Sequence, residues 1–148
     1  MKSIYGILLL IVLSAPLARA THLKGGEILA TYVSGQTYNI KVRLYMDLNN
    51  GASAANAANS VTVCLGDGNT RDLARTSTGN TTLPGNVLVS EYEGRYTYAA
   101  AGIFQISVSS DNRTNGILNL PQSENTPQFI WTVIDTQQNN STPVLPNL

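Results

Sequence analysis

The feature that most constrains this chain is a strict two-residue alternation. In the run TYNIKVRLYMD, residues 37–47, Tyr38, Ile40, Val42, Leu44 and Met46 are apolar, and Asn39, Lys41, Arg43 and Asp47 between them are polar. Successive side chains of a strand point to opposite faces, so the pattern predicts a strand with one face buried and one wet. Tyr45 falls on the wet face. The segment Glu27 to Val33 is rich in β-favouring residues, and Ser34-Gly35-Gln36 supplies a turn, so the two segments read as a hairpin.

The same texture continues. Strands are expected at Ser60 to Leu65, Asp72 to Thr76, Val87 to Tyr92, Arg95 to Tyr98, Ile103 to Ser109 and Phe129 to Asp135. Breaks fall at Asn49-Asn50-Gly51, Thr78-Gly79-Asn80 and Asp111-Asn112-Arg113, and Glu93-Gly94 reads as a solvated turn. Short strands without a helical stripe predict an all-β fold, an immunoglobulin-like antiparallel β-sandwich. One short helix of a turn or two is expected over Ala52 to Ala58. The stretch Pro127 to Ile134 is apolar in both phases, which predicts a central strand with Trp131 in the core; an exposed Trp131 would instead point to carbohydrate stacking.

The ends carry different information. Lys2, the apolar run Ile7 to Leu13 and Ala18-Arg19-Ala20 have the layout of a secretory signal peptide over residues 1–20, with an uncleaved anchor as the alternative. The mature chain is expected to begin at Thr21, with one domain over residues 21–138. Residues 139–148, which hold Pro143 and Pro146, are expected to form a Pro/Asn-rich tail or the start of a linker toward a longer protein. Removing Lys2 and Arg19 leaves seven basic residues against nine acidic ones, a net charge of −2. No clustered basic face suits nucleic acid, and no second apolar run suits a membrane after signal cleavage.

Candidate sites are sparse. In CLGDGNTRD, residues 64–72, Asp67, Asn69 and Asp72 are spaced rather like the start of a calcium loop, the one cofactor the sequence brings to mind. Counted from Asp67, however, Arg71 stands at the fifth position and Thr78 at the twelfth, where ligands are required. The favoured reading is a structural turn: Gly66 and Gly68 supply positive φ, and the Asp67 carboxylate accepts backbone N–H groups. Gly102 marks a second turn before Ile103, and Tyr96 or Tyr98 beside it suits a ring buried at a corner with its hydroxyl tied to backbone. Cys64 is alone, so no intrachain bridge forms, and it is expected to be buried on its strand. Glu91 and Glu93 share a strand face, and His22 lies near Glu27, but neither pair sits in a setting that predicts catalysis or a zinc site. Asn80, Asn112 and Asn140 begin glycosylation sequons and mark surface loops.

Several of these residues fall in an order that resembles a known family. Thr21-His22-Leu23-Lys24-Gly25-Gly26-Glu27-Ile28, followed by the alternating run ending Leu44-Tyr45-x-Asp47, is similar to the N-terminal region of large secreted Bacteroidetes surface proteins of the gliding-motility-associated kind. Gly66-Asp67-Gly68 and the later Tyr96-Thr97-Tyr98-x-x-x-Gly102-x-Phe104 resemble a PKD domain's turn and strand entry. The resemblance spans nearly all of the mature chain. It departs at Val63-Cys64-Leu65, where a Trp often precedes the turn. Leu48 stands where a Cys often follows, which leaves Cys64 without the partner the family implies. No sorting domain is present within these residues.

What the resemblance implies is a noncatalytic structural or adhesion module at a cell surface or outside the cell, the first domain of a larger surface protein. Its expected partners are other extracellular domains or surface polymers, with self-association through an edge strand. The alternative is a carbohydrate-binding module presenting Tyr32, Tyr45 and Tyr92. A small hydrolase using Glu91 or Asp67 is the third reading.

Overall fold

The computed structural model describes residues 23–143 apart from Asn112. The signal segment, the expected mature start at Thr21, His22, Asn112 and residues 144–148 lie outside the described residues. The elements in chain order are β1 (Leu23–Ser34), β2 (Thr37–Asp47), α1 (Leu48–Ala57), β3 (Ser60–Cys64), β4 (Thr70–Leu83), β5 (Val87–Thr97), β6 (Ile103–Ser110), a single 3-10 turn (Ser123–Asn125) and β7 (Gln128–Asp135). Among the described residues no helix is long and apolar enough to cross a membrane.

The fold is all-β and antiparallel, as the alternation predicts. The strands join in one sheet in the order β1-β2-β5-β4-β3-β6-β7, and the β3–β6 junction is a single bridge, Cys64 to Ser107. The sheet curls until its ends nearly meet, with β7 lying against β1. Gly26 marks that approach: a Cβ there would fall 2.5 Å from the Ile130 side chain. The apolar phase of β2 lines the interior as read from the sequence, with Tyr38, Ile40, Val42, Leu44 and Met46 all buried. Leu73, Tyr92, Ile106 and Ile134 close the core from the other strands.

Several expectations need correction. β5 runs unbroken through Glu93-Gly94, because Glu93 pairs with Lys41 and Gly94 with Ile40 in the ladder to β2. β4 passes through Thr78-Gly79-Asn80, absorbing the irregular stretch as a register shift between Arg75 and Asn80. The helix begins earlier than expected and spans ten residues, interrupted at Gly51. Asp47 starts it by accepting the Asn49 N–H at 3.1 Å. That role buries Asp47 to 2% exposure, although its phase in the strand is the wet one. Finally, β7 is an edge strand rather than a central one.

The edge of β1 is covered along part of its length. Thr114 donates its N–H to the Leu23 carbonyl at 3.1 Å, and Thr142 exchanges bonds with Ala30 at 3.0 and 2.9 Å. Tyr32 N–H is accepted by the Ser141 hydroxyl at 2.9 Å. Ser141 and Thr142, read from sequence as part of the tail, thus occupy a sheet edge that would otherwise offer itself to another chain.

Candidate functional site

The Gly66-Asp67-Gly68 turn behaves as a fastener. Gly66 and Gly68 take φ of +84° and +88°. At Gly66 a Cβ would fall 2.7 Å from the Gln105 backbone, so only glycine lets this turn lie against β6. Asp67 accepts the Asn69 N–H at 3.0 Å, the Asn69 amide at 3.1 Å and the Tyr96 hydroxyl at 2.6 Å. Burial works against the charge of the carboxylate, but these donors outweigh it and hold its pKa below the usual range. Tyr98, buried against Phe104 with ring centroids 4.1 Å apart, donates its hydroxyl to the Leu65 carbonyl at 3.0 Å. This is the corner tie read from the sequence.

Asp67, Asn69 and Asp72 do not converge on one point. Asp72 accepts a bond from Thr62 at 2.6 Å on the β3–β4 ladder, while Asp67 and Asn69 bond each other and Tyr96. Among the described residues no group of three His, Cys, Asp or Glu side chains gathers in a way that could hold a metal ion.

The wet face of β1, β2 and β5 carries a continuous ladder of charge. Arg43 donates to Glu91 at 3.0 and 2.8 Å, and Lys41 lies 3.5 Å from Glu91 and 3.6 Å from Glu93. Asn39 donates to Glu93 at 2.5 Å, and the Tyr45 hydroxyl donates to Glu27. Arg43 is itself buried in this ladder, which its wet phase did not predict. Burial would raise the Glu91 pKa; the Arg43 guanidinium and the Lys41 ammonium outweigh that and lower it. Glu91 and Glu93 do share a face, as read. The arrangement favours a fixed carboxylate at Glu91, the opposite of a general acid's raised pKa.

The three tyrosines expected to face a ligand do not form a row. Tyr92 is fully buried, because its position opposite Val42 sends the ring into the core. Tyr32 packs on the inner side edge-to-face with Tyr38, centroids 5.8 Å apart. Tyr45 lies on the outer face with its hydroxyl committed to Glu27.

A different row stands out. On the outer face of β7, Phe129 is 54% exposed, Trp131 57% and Val133 44%; on β6 Ile103, diagonal to Val133, is 68% exposed. Trp131 is therefore not a core residue: β7 lies at the edge, its inner phase of Ile130, Thr132 and Ile134 faces the interior, and nothing among the described residues covers the other phase. Ser107, Ser109 and Gln105 sit directly opposite Trp131, Phe129 and Val133. Cys64 joins this row through its bridge to Ser107 and is exposed rather than buried, since its neighbours Val63 and Leu65 take the inward phase.

The sequence signal for this row was present but ambiguous. Pro127 to Ile134 is apolar in both phases, and periodicity alone does not separate a strand covered on two sides from an edge strand with a working outer face. Comparison with protein-family models, with curated proteins and with solved structures finds no match for this chain, so its site is read from its own geometry.

Proposed function

We propose that this chain is a noncatalytic adhesion module of a cell-surface or extracellular protein, and that it holds neutral polysaccharide on the outer face of β6 and β7. One observation carries the reading: Phe129 and Trp131 stand side by side on one strand face, each more than half exposed. Same-face neighbours on a strand are spaced by about 7 Å, which sets two ring faces along one extended polymer. An aromatic ring buries the apolar flank of a sugar, and the exposed Ser109 and Gln105 side chains on β6 supply hydroxyl and amide partners for its polar edge. Phe129, Trp131 and Val133 carry no charge and face Ser109, Ser107 and Gln105, and the one carboxylate in the row, Asp135, stands at its far end opposite Ile103, which suits a neutral polymer over the two rings. Export through the N-terminal segment of residues 1–20 belongs to the same proposal.

Trp131 is the chain's single tryptophan, so its emission reports on the face directly. Electrophoresis through gels containing soluble neutral glucans and mannans should retard the protein, and the same polymers should shift the emission to shorter wavelength. Trp131→Ala should lose the retardation while the protein stays folded. Migration unchanged across neutral and acidic polysaccharides alike would overturn the reading.

A second reading rests on Ile103 and Val133, which extend the row with aliphatic surface. Such a surface suits a neighbouring protein domain or a second copy pressed against the edge of the sheet. Sedimentation over a wide concentration range separates the two, because only self-association makes the apparent mass rise with concentration.

A further inference from the structure

Past Cys64, β3 and β6 part company. β3 pairs with β4 over all five of its residues but meets β6 at Cys64 alone. The cause lies at the start of β3. The Asn59 carbonyl accepts the Arg75 N–H at 2.8 Å, the Tyr92 hydroxyl donates to the Ala58 carbonyl at 3.0 Å, and the Arg75 guanidinium donates to the Ala55 and Asn56 carbonyls. These bonds draw the chain toward β4 and β5. Meanwhile β6 stays in register with β7 out to Ser110 and Gln128.

Between the diverging strands opens a cavity of about 280 Å³. Its deep lining includes Leu44, Met46, Tyr92 and Val108, all buried residues of the core, and Ser60, Thr62 and Ser109 stand among its more exposed lining. No lining residue is charged. The Tyr92 hydroxyl is already committed to Ala58 and its side chain is fully buried, so Tyr92 backs the floor and adds no polar group to it. Water needs two to four polar partners to settle in a cavity, and an apolar floor supplies few.

We infer that this cavity is a binding site for a small uncharged amphiphile, with its apolar body over the floor beside Leu44, Met46 and Val61 and a hydroxyl or carbonyl end at the serine- and threonine-lined mouth. Size and charge both restrict the occupant. An apolar cavity of about 150 Å³ holds benzene, so roughly twice that volume suits a body of about eight to twelve carbons. A charged head would face hydroxyls with no counter-ion and would have to shed its hydration. The cavity mouth meets the polysaccharide face at Ser109, but Phe129 and Trp131 do not line the cavity.

Met46 supplies the test. It is the only methionine of residues 21–148, so methyl-labelled protein beginning at Thr21 gives a single signal, from the cavity. Titration with 1-octanol should shift the Met46 methyl resonance saturably. Octanoate should bind at least tenfold more weakly. Val108→Phe fills the floor, and Ser60→Trp narrows the mouth from an exposed position without entering the core; each folded variant should weaken octanol binding by tenfold or more. Trp131→Ala should bind octanol as the parent does, which separates failure here from failure of the polysaccharide reading. A Met46 shift that rises without saturating, equal binding of octanoate, or parent-like binding by both cavity variants would overturn the inference.

Discussion

Two outer faces of one curled sheet are built on opposite plans. On β1, β2 and β5 the outward phase is charged, and its members answer one another: Arg43 with Glu91, Lys41 with Glu91 and Glu93, Tyr45 with Glu27. On β6 and β7 the outward phase is mostly apolar or neutral polar, with Asp135 at its end, and its large apolar side chains face solvent. The first face is a closed account of donors and acceptors, so its residues explain one another. The second leaves apolar surface open to water, and a surface that the fold itself does not use is where an outside partner gains most. A similar contrast separates the two ends of β3. One end is held against β6 by the Gly66 turn and tied to the end of β5 by the Tyr98 hydroxyl, and the other is pulled away by Arg75 and leaves a cavity.

That contrast can be broken most sharply at Arg43. Its side chain is 9% exposed and Glu91's is 16%. Arg43→Ala should therefore cost about 3 kcal/mol or more, because it leaves a largely buried carboxylate without its main partner. Chemical denaturation measures this, and a loss below about 1 kcal/mol would mean the ladder behaves as an ordinary solvated surface. Next in size is Tyr98→Phe, which leaves the Leu65 carbonyl unanswered behind a buried ring; about 1–2 kcal/mol should be lost, read the same way.

Acid should act on the charged face and spare the apolar one. Glu91 and Asp47 both have folded pKa values below their ordinary ones; burial opposes this, and the bonds from Arg43 to Glu91 and from Asn49 and Thr114 to Asp47 prevail. A depressed folded value favours the ionised form in the native state. The stabilisation is therefore complete above the unfolded value of roughly 4 and is lost as pH falls through the folded value. Unfolding midpoints measured from pH 6 down to pH 2 should fall most steeply below pH ~4, and Arg43→Ala should flatten that fall. The smallest effect on stability is expected at Trp131, where replacement by Ala should change it by less than about 1 kcal/mol. A larger loss would assign the ring to the fold rather than to a partner.

Much of this was legible in the sequence, for reasons that differ by residue. The alternation over residues 37–47 sorted inward from outward because a strand's period is two, and the buried Tyr38, Ile40, Val42, Leu44 and Met46 follow it. The Gly66-Asp67-Gly68 turn was legible because positive φ and a carboxylate that caps nearby N–H groups are local chemistry. Asp47 and Arg43 broke the pattern, since an outward phase says nothing about a helix cap or a neighbouring strand that will cover it. Tyr92 turns inward because it stands opposite the buried Val42, Cys64 outward because Val63 and Leu65 take the inward phase, and Trp131 outward because β7 lies at an edge.

What the sequence determined by itself is thus the type of each element, the phase of the strands and the chemistry of the tight turns, because these depend on neighbours within a few residues. Strand order belongs to the tertiary structure alone. It placed β7 at an edge, turned Trp131 outward into solvent, sent Tyr92 inward and opened the cavity where β3 leaves β6. Which strand lies beside which is decided by the joint burial of distant apolar faces, and no short window of residues contains that sum.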